Sequence, residues 1–451
     1  MNKKEQHFNK CFALLSFLLV NLLLIACGEE TAKPTSAINT PALGGGTSAT
    51  SATKNVSLTF SYWGDEAEIQ IDKKLIDLYE RLHPGIKIIS LYEKWENYFN
   101  RVEQDWIGDK APDVMFLSYI PNYASKGILE SLQPYIAKEK ELDLNDFYPN
   151  LLEAFHYNNA LYGLPRDNDT KVIYVNLRMF REAGLATPKA GWTLQDLREA
   201  AKKLTKRDEN GNITQYGFAF EPDYWWQLYV WQLGGEVYDS FTSPEPPSKL
   251  LLNSPEALSG IHFYSDLINK DRVTPTYEQM NTSTEITQLF QDGKLAMAFG
   301  GHGKVPAFSQ TPGLEWDVVP LPVGKQRVNV AGGAGYVIHK NSKNKAEAWE
   351  LVKFLTGDLG EGLFMETGLL TPARQSIRED NIYLRNSKYN WQVFNEESKY
   401  GKRVAQFRSS NDVVKLIDTE LESVWRGQKS PVEILSGLPA KIDPVLAKLK
   451  V

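Results

Sequence analysis

Apolar and polar residues alternate along the first stretch of the chain that is able to fold. The apolar positions of this period-two run are Val56, Leu58, Phe60 and Tyr62. Such alternation predicts a strand. The next segment has helical spacing, and its stripe consists of Asp72, Leu75, Ile76, Tyr79 and Leu82. Pro84 and Gly85 end that helix, and further strands are predicted at residues 86–91 and 114–117.

Strand and helix patterns keep alternating toward the C-terminus. Thr193 and Asp196 have the spacing of a capping box, and an apolar stripe follows them. Ser430, Pro431 and Glu433 predict another helix start, with a cap, a proline in the first turn and an acidic third residue. Strands that alternate with helices of this length predict an α/β fold.

The N-terminus carries a different pattern. Three lysines precede an apolar run at residues 11–25, which ends in the sequence LIAC at Cys27. This pattern predicts a signal peptide over residues 1–26. It resembles a bacterial lipoprotein box, in which the cysteine is lipidated and becomes the first mature residue. An uncleaved anchor is the alternative, but a spanning helix needs about 20 apolar residues and this run is shorter.

Composition and length predict a flexible tether followed by a large globular body. Residues 27–55 are rich in Gly, Ala, Ser, Thr and Pro, which predicts a tether without a core. The 451-residue chain is long enough for two or three lobes. Cys11 lies inside the signal and Cys27 at its end, so no disulfide is expected in the mature chain. The net charge of -6 gives no reason to expect nucleic acid as a partner.

Candidate binding residues follow the predicted strands. In open α/β sheets, ligands bind beyond the carboxyl ends of the strands. Trp63 and Asp65 follow the first strand, and Ser118 and Tyr119 follow the third. Flat aromatic faces beside carboxylates suit a sugar, which stacks its C–H face on a ring. Core packing is the alternative for any single tryptophan.

Motifs for catalysis or metal binding are weak. The six histidines form no H-E-x-x-H pattern, and there is no G-x-S-x-G elbow. Residues 300–304 look like a phosphate loop, but Val305 stands where a Ser or Thr is required. We therefore predict no catalytic residue, no metal and no cofactor. A carboxylate pair of a glycosidase stays open among the 56 acidic residues.

Residues 111–136, APDVMFLSYIPNYASKGILESLQPYI, resemble family 1 extracellular solute-binding proteins of ABC importers. Maltose- and other oligosaccharide-binding proteins belong to that family. The resemblance continues in the same order along nearly the whole mature chain. Its further fragments are YGLP at 162–165, VIYVN at 172–176, GL at 184–185, GKLAM at 293–297, NSKNK at 341–345, AWE at 348–350 and PAR at 372–374.

The resemblance implies a two-lobed periplasmic-binding-protein fold of type II-like α/β architecture. Its lobes would be discontinuous and joined by three crossovers. The N-lobe would combine residues 56–168 with 335–371, and the C-lobe residues 172–330 with 374–451. The crossovers would lie near residues 167–171, 332–335 and 370–373. Gly332, Gly333 and Gly335 suit a hinge because glycine tolerates unusual torsions.

The same resemblance implies a set of residues that line the interlobe cleft. They are Trp63, Asp65, Ser118, Tyr119, Asp167, Asp169, Tyr224, Trp225, Gly301, His302 and Arg374. Asp169 is the foremost carboxylate candidate, whereas Arg374 has bracing of the third crossover as an alternative. Family members often carry a tryptophan just after the "AM…G" segment, but this chain has His302 and Gly303 there. Its stacking geometry therefore differs, or its ligand is not an ordinary maltodextrin.

The implied function is capture of a carbohydrate, an oligosaccharide in the first instance, for an ABC permease. The protein would be a monomeric, non-enzymatic lipoprotein, anchored outside the cytoplasmic membrane through Cys27. Three alternatives stay open: a surface-anchored glycoside hydrolase, a sensory binding module, and a binding protein for a non-sugar solute such as a polyol phosphate.

Overall fold

The computed structural model describes residues 55–64, 66–107, 110–221, 225–240, 245–280, 282–379 and 386–450. The predicted signal peptide, Cys27 and the tether up to residue 54 lie outside these ranges. Within them, no helix is both long enough and apolar enough to cross a membrane.

Fifteen strands are described, most of them short. In chain order they are β1 (Val56–Trp63), β2 (Ile86–Glu93), β3 (Val114–Leu117), β4 (His156–Tyr157), β5 (Ala160–Leu161), β6 (Gly163–Pro165), β7 (Asp169–Thr170), β8 (Val172–Asn176), β9 (Lys206–Arg207), β10 (Ile213–Gln215), β11 (Met297–Gly300), β12 (Trp316–Val319), β13 (Asn329–Gly332), β14 (Gly335–Ile338) and β15 (Gly401–Arg403).

Helices separate most of these strands and cover the sheets. The described α-helices are α1 (Glu66–Leu82), α2 (Trp95–Ile107), α3 (Ile120–Ala124), α4 (Gln133–Ile136), α5 (Pro149–Glu153), α6 (Leu177–Glu182), α7 (Leu194–Leu204), α8 (Trp226–Gln232), α9 (Pro255–Asn269), α10 (Ser283–Gln291), α11 (Val305–Ser309), α12 (Lys345–Leu355), α13 (Asp358–Glu366), α14 (Gln375–Glu379), α15 (Gln392–Ser398), α16 (Ser410–Trp425), α17 (Pro431–Leu435) and α18 (Leu438–Leu449).

The first lobe is built on a five-stranded sheet in the order β2-β1-β3-β14-β6. Strand β1 is parallel to β2 and β3, whereas β14 is antiparallel to both β3 and β6. Strand β14 comes from a distant part of the sequence, so this lobe is discontinuous. Its core lies within residues 56–164 and 334–373.

The second lobe contains a smaller sheet in the antiparallel order β11-β8-β12. All five residues of β8 are buried, which fits a central strand covered on both faces. The core of this lobe lies within residues 172–330 and 389–446. The protein thus has the predicted two-lobed α/β fold, while the exact lobe boundaries stay predictions.

Backbone hydrogen bonds join the three predicted crossovers side by side. The Asn168 amide donates to the Thr371 carbonyl (2.8 Å), and the Arg166 amide donates to the Ala334 carbonyl (2.8 Å). Asp169 in β7 also pairs with Gly332 in β13. The chain therefore passes between the lobes as a narrow, hydrogen-bonded strip.

Two of the three glycines of the second crossover, Gly333 and Gly335, are required by close packing of the backbone. None of Gly332, Gly333 and Gly335 is among the described glycines with positive φ, so unusual torsions do not explain them. A Cβ on Gly333 would lie 2.4 Å from the Asp167 carbonyl oxygen, and one on Gly335 would lie 2.2 Å from that of Leu164. These two glycines allow close approach of neighbouring backbones.

Several local predictions are confirmed. The first three strands form where the sequence pattern predicted them. Both predicted capping boxes are present, at Thr193 ahead of α7 and at Ser430 ahead of α17. Each box satisfies amide groups that a helix start leaves without partners.

Asp72 occupies the buried stripe of α1, where an apolar residue would be expected. Its side chain is buried, and neither carboxylate oxygen has a hydrogen-bond partner. Burial raises the pKa of Asp72 to about 8, although the nearby Arg166 guanidinium opposes the shift. Asp72 is therefore mostly protonated at neutral pH.

We expect the Asp72→Asn variant to flatten the pH dependence of stability. Between the unfolded pKa near 4 and the folded pKa of about 8, the folded protein holds a proton that the unfolded chain has lost. Stability therefore falls as pH rises through this window, by up to about 1.4 kcal/mol per pH unit for this group. Asparagine keeps the shape of the neutral acid but does not titrate.

Urea unfolding from pH 5 to pH 9 measures how the free energy of unfolding changes with pH in wild type and in the Asp72→Asn variant. Asp77→Asn is the matched control, because Asp77 is an exposed residue of the same helix. Its curve should run parallel to the wild-type curve. If the curve of unfolding free energy against pH for Asp72→Asn is also parallel to that of wild type, Asp72 does not hold its proton in the folded state.

Candidate functional site

The carboxyl ends of β1 and β3 lie at the edge where the chain crosses to the second lobe. Strand β14 enters the first lobe at Gly335, which pairs with Leu117 at the end of β3 and with Pro165 at the end of β6. Residues that follow β1 and β3 therefore face the crossovers, as ligand-binding residues of open α/β sheets do.

Ser118 and Tyr119 are placed at this edge by β3. The Ser118 hydroxyl donates to the Gly333 carbonyl in the second crossover (3.4 Å). Tyr119 adopts a left-handed backbone conformation, with φ 59° and ψ 42°, which is unfavourable for an aromatic residue. Such strain clusters at functional sites, so both predicted residues stay candidates.

Trp63, predicted as a ligand-binding residue, packs against other aromatic rings of the first lobe. It is only 8% exposed, and its ring stacks on Phe116 at 4.2 Å with an interplanar angle of 29°. Trp95 and Tyr98 contact the ring edge-to-face, each at 5.1 Å. The ring thus belongs to the core of the first lobe, and one of its faces is covered.

Trp95 is an exposed aromatic residue that the sequence analysis missed. It is 39% exposed and begins α2, two residues after the end of β2. Because Glu93 pairs in parallel register with Trp63, Trp95 lies at the same edge of the sheet. The signal was available, since Trp95 follows a predicted strand just as Trp63 does.

A buried charged cluster lies beside the first crossover, formed by Asp169, Lys171, Glu221 and Lys304. The Lys171 ammonium lies 2.9 Å from Asp169 and 3.2 Å from Glu221. Lys304 lies 2.9 Å from the other oxygen of Glu221. Two cations and two anions therefore neutralise one another.

Asp169 is the outermost member of the cluster. Its side chain is 41% exposed, whereas those of the other three members are largely buried. Burial raises the pKa of Glu221, but Lys171 and Lys304 outweigh this effect and lower it to about 2. Glu221 is therefore a permanent anion that holds both lysines, and Asp169 is the carboxylate left facing outward.

Trp225 packs on this cluster from the side. The Lys171 ammonium lies 4.2 Å from the centroid of its ring, which is a cation–π contact. Phe299 at 5.8 Å contacts the same ring. The Trp225 side chain is partly exposed, so the predicted aromatic residue and the predicted carboxylate lie next to each other. Neither Tyr224 nor Asp65 is among the described residues.

The glycines at residues 300 and 301 make room for the cluster. A Cβ on Gly300 would lie 2.4 Å from the Lys304 side chain, and one on Gly301 would lie 2.4 Å from the Asp169 carboxylate. The Gly301 carbonyl accepts a hydrogen bond from the Tyr174 hydroxyl (2.7 Å). The absence of side chains at Gly300 and Gly301 thus leaves room for the charged side chains of Lys304 and Asp169. This use of the glycines agrees with our rejection of a phosphate loop.

Both ring nitrogens of His302 lie within hydrogen-bond distance of other protein groups, and its contact with a ligand stays a prediction. Its Nδ1 lies 2.7 Å from the Gly368 carbonyl oxygen, which can only accept, so Nδ1 carries a proton. Its Nε2 lies 3.1 Å from the Tyr389 hydroxyl. Gly368 belongs to the first lobe and His302 to the second, so this side chain connects the lobes.

The side chains of Arg374 and Asp167 also form hydrogen bonds within the protein. Arg374 donates to Asp146 (2.7 Å) in the first lobe, as the bracing alternative expects, and its contact with a ligand stays a prediction. Asp167 accepts from the Arg166 guanidinium (2.7 Å) and from the Ala334 amide (3.0 Å). Its side chain is 14% exposed, so Asp169 is the better ligand candidate of the two crossover carboxylates.

The described ranges contain no group of three or more His, Cys, Asp or Glu side chains that could hold a metal ion. The arrangement instead offers an outward carboxylate and two partly exposed aromatic residues, Trp225 and Tyr119, around the crossovers. Groups of these kinds can accept hydrogen bonds and offer flat apolar faces for stacking.

Comparison with known proteins agrees with this architecture. The family model described as bacterial extracellular solute-binding protein matches residues 63–360. The galactooligosaccharide-binding protein of Bacillus subtilis is 23% identical over 434 residues, which cover 94% of each chain. The sn-glycerol-3-phosphate-binding periplasmic protein of Yersinia enterocolitica is 22% identical over 413 residues, covering 85% of this chain and 91% of that protein.

A solved structure shows the same fold. The ABC substrate-binding protein of Listeria monocytogenes, in complex with cycloalternan, superposes with a TM-score of 0.78 at 23% identity. The match covers 87% of this chain and 99% of that one. With the family match over more than half of its length, the chain belongs to the bacterial extracellular solute-binding proteins and has their two-lobed fold.

Proposed function

We propose that the protein captures a neutral carbohydrate between its lobes and passes it to an ABC permease. The observation that carries this proposal is the charged cluster, in which both lysines are already paired while Asp169 stays exposed. A carboxylate accepts hydrogen bonds from sugar hydroxyls. The neighbouring Trp225 supplies an apolar ring for the C–H face of a sugar.

Electrostatics favours a neutral ligand over a phosphate ester. The two curated relatives named above bind different classes, a galactooligosaccharide and a glycerol phosphate. A phosphate dianion needs unpaired cations or a set of convergent donors. Here Lys171 and Lys304 face carboxylates, and Arg374 faces Asp146. An anion beside Asp169 would find both lysines of the cluster already paired with carboxylates.

Capture would proceed by closure of the two lobes. A ligand that contacts both lobes stabilises the closed state only to the extent that it binds that state better than the open one. The two separate cores support residues 56–168 with 335–371 and residues 172–330 with 374–451 as the moving bodies. The strip of crossovers between them, with Gly332, Gly333 and Gly335, would act as the hinge.

The electrostatics of the cluster excludes Glu221 as the proton donor of a hydrolase, whereas burial raises the pKa of Asp169 although Lys171 opposes the shift. A glycosidase of the common type needs one carboxylic acid that keeps its proton until it protonates the leaving group. Glu221, which shares Lys171 with Asp169, has a pKa of about 2, because the two lysines overcome the effect of its burial. It cannot serve as that acid near neutral pH.

Family membership places the protein outside the cytoplasm, and we propose that a lipid on Cys27 keeps it at the membrane. Residues 28–54 would then separate the folded body from the anchor. Tethering raises the effective concentration of a binding protein near its permease. We expect a monomer, since one chain contains both lobes.

Binding of a sugar should stabilise the protein and make it more compact. At a ligand concentration of 100 Kd the free energy of unfolding should rise by about 2.7 kcal/mol. Thermal unfolding in a panel of saccharides, followed by small-angle scattering with the best one, measures both effects. The saccharide recovered after prolonged incubation should be chemically intact. Cleavage would support the hydrolase, and stabilisation by glycerol phosphate alone would refute a neutral ligand.

Replacement of Asp169 by Asn should weaken sugar binding by about ten- to a hundredfold, because hydrogen bonds to a charged acceptor are lost. Stability should change little, since Lys171 keeps Glu221 as its partner. The matched control is Asp292→Asn. Asp292 is 39% exposed and pairs with Lys294, but it lies away from the crossovers. Equal affinities of the two variants in calorimetry would remove Asp169 from the site.

Substitution of Cys27 by Ser should abolish anchoring, because serine lacks the thiol that takes the lipid. The precursor should stay uncleaved, or the mature protein should leave the membrane fraction. Metabolic labelling with a fatty acid and fractionation measure both. A chain that starts near Val56 should bind sugar as tightly as the full protein, whereas fatty-acid labelling of Cys27→Ser would contradict the assignment.

A further inference from the structure

We propose that Trp95 forms an outer stacking subsite, and that the ligand is therefore an oligosaccharide that lies along the edge of the first-lobe sheet from Asp169 to Trp95. This inference rests on the carbohydrate function proposed above. It adds the length of the ligand and names Trp95 as the residue that favours longer ligands over shorter ones.

The sheet order sets the distance that such a ligand must span. Strand β2, which leads into Trp95, is the edge strand, and three strand spacings separate it from β14. At about 4.8 Å per spacing, β2 and β14 lie about 14 Å apart. Asp169 pairs with Gly332, three residues before β14 begins. One pyranose ring in contact with Asp169 cannot also reach Trp95.

Neighbouring aromatic rings contact the Trp95 ring at steep angles and do not stack flat on it. Its two ring contacts, with Trp63 at 5.1 Å and with Phe99 at 4.7 Å, have interplanar angles of 77° and 84°. No aromatic ring stacks in parallel on Trp95 within the described part of the chain, whereas Phe116 stacks on Trp63. Trp95 is thus held from the side by two rings while 39% of the residue stays exposed.

Aromatic side chains continue from Trp95 toward the crossovers. Phe99 lies between Trp95 and Tyr119, at 4.7 Å from the first ring and 6.1 Å from the second. Tyr119 is the residue with the strained left-handed backbone, next to Ser118, which bonds to Gly333. An apolar ledge of Trp95, Phe99 and Tyr119 therefore runs from the outer edge of the sheet to the crossovers.

The test is calorimetric titration with saccharides of one to four rings, in both α-linked glucose and β-linked galactose series. Wild type is compared with Trp95→Ala, Trp95→Phe and Trp106→Ala. Trp106 is a matched control, since it lies at the far end of the same helix and packs on Tyr123 and Lys126. We expect Trp95→Ala to lose about tenfold in affinity for the longest ligands and less than twofold for the monosaccharide.

The Trp95→Phe variant distinguishes a loss of ligand stacking from a purely structural effect, because phenylalanine keeps a flat ring against Trp63. It should retain most of the affinity for long ligands, and Trp106→Ala should bind like wild type at every length. An equal loss at all lengths, or no loss at any length, overturns the subsite while the carbohydrate function stands. If wild type binds no saccharide in either series, the proposed function itself fails, and the subsite fails with it.

Discussion

The structure depends on one buried ion pair at the first crossover, between Arg166 and Asp167. The Arg166 guanidinium lies 3.9 Å from the ring of Phe116 and 4.5 Å from that of Phe364, and it donates to Asp167 at 2.7 Å. The other carboxylate oxygen of Asp167 accepts from the Ala334 amide. Removal of one partner of such a buried pair costs about 3–5 kcal/mol. This pair thus fixes the first and second crossovers against each other and against the core of the first lobe.

The position of the proposed binding site follows from this junction. The three crossovers leave the first lobe at the edge where β1 and β3 end, so residues after those strands face the second lobe. On the other side, the first crossover continues directly into Asp169 and Lys171, which belong to the charged cluster. Chain connectivity therefore places the aromatic ledge of the first lobe and the Asp169 carboxylate of the first crossover along the same edge of the sheet.

Local features could be predicted from the sequence, whereas long-range partners could not. The first three strands and the boxes at Thr193 and Ser430 depend on residues near one another in the chain. The contact of Arg374 with Asp146 joins residues 228 positions apart, and no local pattern reveals it. The same holds for Lys304, whose partner Glu221 lies 83 positions away in the chain. Trp63 and Trp95 follow strands in the same way, and only packing separates the buried ring from the exposed one.

The neutrality of the charged cluster also bears on how fast the protein captures its ligand. Charged clefts accelerate association through long-range attraction, an advantage that dissolved salt weakens within about 10 Å at 0.1 M. The cluster beside Asp169 has no net charge, and an uncharged sugar would not respond to such a field in any case. The rate of encounter is then set by diffusion and by lobe opening. A protein outside the cytoplasm, where ionic strength varies with the surroundings, would thereby keep a constant capture rate.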